Sequence, residues 1–135
     1  MRDMETEIGR IREALEAHDA PRLVIALLFG SAAEGRLGPM SDVDVAVAAP
    51  QPMTAEQKLG LIERLAEVTG RPVDVVDLQT AGEPVLGEAL SGRMLVLRDP
   101  ALLAAIARRH LIEVEDFLPL RRRLLDARRK AWIGI

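Results

Sequence analysis

Two aspartates lie inside a stretch of sequence that otherwise has the composition of a buried β-strand. The stretch is SDVDVAVA, residues 41–48, and the aspartates are Asp42 and Asp44. Because successive side chains of a strand point to opposite faces, both carboxylates share one face with the alanines, and the valines form the other, core-facing side. Two residues span about 6.6 Å of strand, so the carboxylates can bind one Mg²⁺ or bridge two ions. The pattern predicts a metal site suited to a nucleoside triphosphate.

A glycine-serine pair, Gly30 and Ser31, ends the preceding apolar run and supplies a second part of such a site. Glycine allows a phosphate to approach the backbone closely, and free backbone N–H groups in a turn after a strand bind anions. The serine hydroxyl adds a donor. Each motif alone is weak evidence, because strand ends often carry solvated aspartates. Together, on adjoining strands, they indicate a site for a metal-bound phosphate.

A third carboxylate is available in the segment VDVVDL, residues 73–78, which contains Asp74 and Asp77. These two aspartates are three residues apart, so strand alternation places them on opposite faces. At most one of them can join Asp42 and Asp44. Alternation alone leaves the choice open, because each shares its face with a valine.

The spacing of these motifs resembles the signature of a known enzyme family. Gly30-Ser31, ten further residues and then Asp42-Val43-Asp44 are similar to the pattern of polymerase-β-like nucleotidyltransferases. Within that superfamily the chain resembles the minimal nucleotidyltransferases (MNT), which are stand-alone catalytic domains of about this length.

The loop between the two motifs follows the family pattern with one departure. The resemblance covers most of residues 5–98, and Gly35 and Ser41 fit the usual form of the loop. Family members commonly carry an arginine just before the loop glycine, where this chain has Glu34, with Arg36 on the other side. A phosphate or partner contact made by that arginine is therefore expected to be absent here or to be made by Arg36.

The resemblance implies roles for the residues of the first two motifs. Asp42 and Asp44 would hold Mg²⁺, and Gly30 and Ser31 would hold the β- and γ-phosphates of ATP. The implied reaction is nucleotidyl transfer, in which an acceptor hydroxyl takes AMP from ATP and pyrophosphate leaves.

The resemblance also chooses between the two aspartates of the third segment. The first one, Asp74, matches the family pattern and would complete the metal site or act as general base toward the acceptor hydroxyl. Asp77 is then expected near the end of the strand, either in solvent or capping the next turn.

The acceptor implied by the resemblance is a protein. Many MNT proteins are antitoxins paired with a HEPN-domain ribonuclease toxin, and some transfer AMP to a tyrosine of that toxin. The chain would be the antitoxin half, in a hetero-oligomer with the toxin or as a homo-oligomer. Two alternatives remain: a catalytically silent antitoxin that acts by binding, and a small-molecule nucleotidyltransferase of the aminoglycoside-modifying kind.

Charge is distributed unevenly, with a net of +4 over residues 101–135 and −7 over the rest of the chain. The basic run Arg121–Arg123 either docks on the partner or forms a solvated helix face. Either interpretation leaves the catalytic motifs in the acidic part of the chain.

Composition excludes several other classes of protein. The chain has 135 residues, which is the usual size of one domain, and no cysteine, so disulfides and thiolate chemistry are excluded. Its two histidines, His18 and His110, have no acid–base companion at a readable spacing. Three aromatic residues, Phe29, Phe117 and Trp132, are too few for base-stacking platforms, so nucleic-acid binding is not expected. The charged N-terminus and the absence of a long apolar run predict a cytoplasmic protein without a membrane span.

The order of predicted elements defines the fold class. Periodicity and breakers predict helices over 4–18, 54–69, 82–91 and from 99 onwards, strands over 22–29, 41–48, 71–78 and 93–98, and a short helical turn after Gly30. This order predicts an α/β (α+β) chain in which a small mixed four-stranded sheet is flanked by helices, a nucleotidyltransferase fold. Residues 1–98 would form the catalytic core, and 99–135 a helical extension, broken or bent near Pro119, packed on or next to it.

Local signals fix several helix ends. Thr54 and Gln57 have the spacing of a capping box, and Gly70 has the C′ position of the same helix. Asp99-Pro100 is a favourable helix start, with aspartate as N-cap and proline at the first helical position.

Overall fold

The computed structural model describes residues 4–33, 35 and 41–114. Its elements in chain order are α1 (Met4–Ala17), β1 (Ile25–Phe29), β2 (Val43–Ala48), α2 (Ala55–Thr69), β3 (Val73–Asp77), α3 (Val85–Leu90) and β4 (Arg93–Leu97), followed by a helix over 100–114, here called α4. Each predicted strand is present, one to three residues shorter than the apolar run at one or both ends.

The four strands form one mixed sheet in the order β3-β2-β1-β4. β1 pairs antiparallel with β2 and with β4, whereas β2 and β3 run parallel. The predicted fold class, a mixed four-stranded sheet flanked by helices, is therefore confirmed. β1 is interior and all five of its residues are buried, as expected for a continuous apolar run.

Helices cover both faces of the sheet, so the structure has two apolar cores. The valine face of β2 (Val43, Val45 and Val47) packs with α1 and α2 in the larger core. The opposite face of β2 contributes Ala46 and Ala48 to a second core with α3 and α4. The predicted core role of the valines is confirmed, and the alanines beyond the aspartates are buried as well.

The predicted helix caps are present. In the capping box of α2, the Thr54 hydroxyl accepts from the Gln57 N–H at 3.1 Å and the Gln57 side chain accepts from the Thr54 N–H at 3.0 Å. Gly70 follows the helix in the left-handed conformation, with φ of 67°. The Asp99 carboxylate accepts from the Leu102 N–H at 3.0 Å, so Asp99 caps α4.

Two predicted segments differ from the structure. α3 has six residues instead of ten, because residues 82–84 form the approach to the helix and not its first turn. Residues 30–33 form turns and not a helical turn, and the Gly35 N–H donates to the Ala32 carbonyl at 3.2 Å. The expected bend near Pro119 and the basic run Arg121–Arg123 lie outside the described residues, as does Glu34. Among the described helices, none combines the length and apolar character needed to cross a bilayer.

Candidate active site

The parallel pairing of β2 and β3 places two of the predicted carboxylates side by side. Asp44 and Asp74 are direct partners in the register, so their side chains emerge from the same face of the sheet. Asp44 is half-buried and Asp74 is exposed. The sheet itself therefore sets the spacing of the pair, and no loop is needed to bring the two carboxylates together.

The turn after β1 lies against the same carboxylates. Phe29, the last residue of β1, is the antiparallel partner of Asp44, and Gly30 follows it with φ of 69°. A Cβ at Gly30 would overlap the Asp44 Oδ2 atom. Glycine is thus required here both by the left-handed backbone and by the approach of the turn to the carboxylate.

A cleft of about 570 Å³ opens over this face of the sheet. The carboxylates and the Gly30 turn form one part of its lining, and α3 with the residues that follow it forms the facing wall. The lining residues are Phe29, Gly30, Ala33, Asp44, Asp74, Val76, Val85, Glu88, Ser91 and Gly92. The polar groups are thus held above an apolar surface, as is usual for a small-molecule site.

Negative charge is concentrated in the cleft. The pKa of Asp44 is raised above its ordinary value, first by burial and then by the charges of Asp74, Asp42 and Glu88. A carboxylate surrounded in this way is less stable when ionised, and a bound cation would offset the repulsion. The electrostatics of the ligand-free site therefore favour a cation.

The donor set fits Mg²⁺ better than a metal held by protein alone. Among the described residues, no group of three His, Cys, Asp or Glu side chains converges closely enough to hold a metal ion by itself. Mg²⁺ prefers oxygen ligands and is usually bound by one or two carboxylates, with waters and substrate phosphates completing its shell. Asp44 and Asp74 match that requirement.

Two of the predicted site residues lie outside the lining of the cleft. Asp42 precedes the first residue of β2 and is exposed, although its charge reaches Asp44. Ser31 is exposed in the turn beside Gly30.

Of the two positions expected for Asp77, the structure shows the second: Asp77 ends β3 and caps the following turn, and it does not lie in solvent. Asp77 is 4% exposed, and its carboxylate accepts from the Met53 N–H at 2.8 Å and from the Gln79 N–H at 2.9 Å. Both oxygens are therefore used to join the loop before α2 to the turn after β3.

The facing wall carries polar residues that the sequence motifs did not identify. Glu88 and Ser91 both line the cleft and are three residues apart, the spacing of helical neighbours on one face. The other face of α3 is buried through Leu86 and Ala89. The signal in the sequence is this short amphipathic pattern. It identifies Glu88 and Ser91 as site residues only once α3 is known to lie over the carboxylates.

The family model for polymerase beta nucleotidyltransferases matches residues 10–101. This range contains all four strands and every predicted site residue. The chain belongs to this family of nucleotidyltransferases, as the spacing of its motifs predicted.

Solved structures share the fold over nearly the whole chain. A chain from a crystal structure of a toxin–antitoxin with AMP-PNP superposes with a TM-score of 0.74 at 23% identity, over 89% of this chain and 96% of the other. A chain from the structure of a tri-AMPylated Shewanella oneidensis HEPN toxin in complex with MNT antitoxin gives 0.70 at 21% identity, over 92% and 97%. A chain from the toxin–antitoxin MntA–HepT gives 0.69 at 21%, over 91% and 97%.

Among curated proteins, none matches the chain at a significant level.

Proposed function

We propose that the chain is the antitoxin of a HEPN/MNT pair and transfers AMP from ATP, with Mg²⁺, to a hydroxyl of its HEPN toxin, with a tyrosine as the expected acceptor. The observation that carries the proposal is the pairing of Asp44 with Asp74 beside the Gly30 turn, inside the region that matches the nucleotidyltransferase family. The partner is suggested by one solved structure of the same fold, in which an MNT antitoxin is in complex with a tri-AMPylated HEPN toxin.

Different residues of the cleft would bind the nucleotide and act on the acceptor. The turn at Gly30 and Ser31 offers backbone N–H groups to the β- and γ-phosphates of ATP. Asp44 would hold Mg²⁺ against the phosphates together with its neighbours Asp74 and Asp42, whose charges reach it. Bound there, the ion would neutralise charge that develops on the phosphates during transfer.

Asp74 is suited to proton transfer because it is more exposed than Asp44 and directly beside it. The acceptor oxygen forms a bond to the α-phosphorus while the bond from that phosphorus to the bridging oxygen breaks, and pyrophosphate leaves. The proton of the acceptor hydroxyl passes to the Asp74 carboxylate, which acts as a general base.

A silent antitoxin that acts by binding is the second candidate function. The observation that favours it is the position of Asp42 and Ser31, which are exposed and outside the cleft lining. In that case the carboxylates would be remnants of an active ancestor, and the surface that covers the toxin would carry the function.

One labelling experiment separates the two functions. The purified chain is incubated with its HEPN partner, Mg²⁺ and ATP labelled at the α-phosphate, and in parallel with ATP labelled at the γ-phosphate. AMP transfer predicts label on the partner from the first nucleotide only, with loss on chelation of Mg²⁺. The variants Asp44→Asn and Asp74→Asn should remove the label, and Asp19→Asn, an exposed aspartate outside the cleft, should retain it.

Absence of label with the unmodified chain would contradict AMP transfer. If the double variant Asp44→Asn plus Asp74→Asn still neutralises the toxin fully, binding alone explains the antitoxin activity. Labelling of an aminoglycoside but not of the partner would instead support the small-molecule alternative.

A further inference from the structure

α4 is hydrogen-bonded to the chain segment that leads from β3 into α3. The Arg109 guanidinium donates to the carbonyls of Gln79 at 2.7 Å, Leu78 at 2.8 Å and Ala81 at 3.0 Å. One side chain thus satisfies three backbone acceptors of this connection. The path from the catalytic strand β3 to α3 is therefore held from outside by α4.

The residue after Arg109 makes the second attachment. His110 Nδ1 is hydrogen-bonded to Glu83 Oε1, and Glu83 Oε2 accepts from the Gly87 N–H of α3 at 3.2 Å. A Cβ at Gly87 would be 2.8 Å from His110 Cε1, so the imidazole packs directly on the α3 backbone. His110, which has no acid–base role in the sequence pattern, is thus a packing and hydrogen-bonding partner of α3.

α3 depends on such attachments because it is short. Six residues are far fewer than the roughly 12–15 that an isolated helix needs to be even marginally stable in water. Its buried face is small, and its other face presents Glu88 to the cleft, followed by Ser91. The place of this wall relative to Asp44 and Asp74 is therefore set by two sets of contacts, the packing of α3 on β1 and the contacts that α4 makes with α3 and its approach.

We propose that Arg109 and His110 are positioning residues of the cleft, which hold α3 at the distance from the carboxylates that a bound nucleotide requires. On this proposal α4 belongs to the catalytic unit and does not merely pack beside it. The inference rests on the proposed function for the identity of the ligand, a Mg²⁺-bound nucleoside triphosphate. The coupling of α4 to α3 rests on the contacts alone.

The test compares Arg109→Lys, His110→Ala and His110→Gln with Arg108→Ala, which removes the exposed arginine next to the pair. Amide hydrogen exchange and affinity for Mg²⁺–AMP-PNP are measured on each folded variant. Arg109→Lys and His110→Ala should speed exchange over residues 85–92 and weaken nucleotide affinity by about tenfold. His110→Gln should recover most of the affinity, because its amide can donate to Glu83, and Arg108→Ala should match the unmodified chain.

Gly87→Ala tests the contact between His110 and α3 independently, because it removes no functional group. The new methyl group would displace the His110 ring, so the single variant should behave like His110→Ala. In the His110→Ala background the methyl group meets only the end of the flexible Glu83 side chain, at 3.2 Å, and alanine favours the helix, so the two effects should not add. Additive losses would contradict direct packing of His110 on α3.

The proposed function of the chain and the positioning role of Arg109 and His110 can fail separately. If the unmodified chain binds no nucleotide, the proposed function fails, while the exchange data still report whether α4 holds α3. If Arg109→Lys and His110→Ala leave both exchange and affinity unchanged, the positioning role is overturned whether or not the chain transfers AMP. Faster exchange with unchanged affinity would also overturn it, because α4 would then only stabilise the fold.

Discussion

Gly30 has no space for a side chain because the Asp44 carboxylate occupies the position where its Cβ would lie. The glycine of the first motif and the second aspartate of the second motif are thus in direct steric contact. The two motifs, separated by a loop in the sequence, form a single structural unit, and a change in one acts on the other.

Gly30→Ala should remove activity as well as stability. The left-handed backbone costs a residue with a Cβ about 1 to 2 kcal/mol, and the methyl group would displace the Asp44 carboxylate from its present position beside Asp74. A misplacement of about 1 Å at the reacting centre can lower turnover about 100-fold. Unfolding in denaturant and label transfer to the partner measure the two effects.

Gly35→Ala is the matched control for this prediction. Gly35 also has a positive φ, 72°, but a Cβ there would meet no atom of the described residues within 4 Å. It should share the loss of stability and keep the activity of the folded protein. Equal losses of activity in both variants would show that backbone strain, and not the displacement of Asp44, is responsible.

Asp44→Asn should stabilise the ligand-free protein at neutral pH. Because the pKa of Asp44 is raised in the folded state, its favourable contribution to folding is complete below the unfolded pKa of about 3.8 and is lost as the pH rises through the folded pKa. The amide has no charge to desolvate or repel. We expect a melting temperature a few degrees higher at pH 7 without metal, and little difference near pH 3.

The same pH series tests whether titration of Asp44 causes the stabilisation. A constant difference in melting temperature from pH 3 to pH 8 would exclude titration of Asp44 as the cause. Added Mg²⁺ with nucleotide should reverse the order, because ligand stabilises only a chain that binds it.

Asp74→Asn and Asp77→Asn should have opposite effects, although both change an aspartate of β3. Asp74→Asn should lower transfer by about 10²- to 10⁴-fold, the usual contribution of a general base, with little change in stability. Asp77→Asn places an amide NH₂ against a backbone N–H donor and should cost about 1.5 to 3 kcal/mol. Its folded fraction should remain active. If Asp77→Asn removed activity from fully folded protein, Asp77 and not Asp74 would be the third catalytic carboxylate.

Gly92→Ala should destabilise the protein by about 1 to 3 kcal/mol through overpacking. A Cβ there would overlap the Leu28 carbonyl oxygen and come within 3.0 Å of Phe29 Cβ, so α3 and β4 would have to move away from the end of β1. Thermal unfolding measures the loss. Gly82→Ala, where a Cβ would meet nothing within 4 Å in the part of the chain that the structure describes, should be nearly neutral, and similar losses in both would contradict the packing argument.

The elements and the central carboxylates could be predicted because their signals are local. The capping box of Thr54 is four residues long, and strand alternation separated the core valines from Asp44 without any knowledge of the fold. The sequence left open whether Asp77 is exposed or caps the next turn, and its burial could not be predicted because its second hydrogen-bond partner, the Met53 N–H, is 24 residues away. The wall formed by Glu88 was missed for the same reason: its meaning depends on packing between elements distant in sequence.

The parallel pairing of β2 and β3 has a consequence for how the protein acquires its site during folding. Asp44 and Asp74 are thirty residues apart in sequence and meet only through a crossover that includes α2. Such a non-local pairing forms late, since the chain entropy of closing the loop is lost before the contacts repay it. We therefore expect the cleft to form only when the sheet is complete, so that nucleotide affinity, where the proposed function holds, reports completed folding.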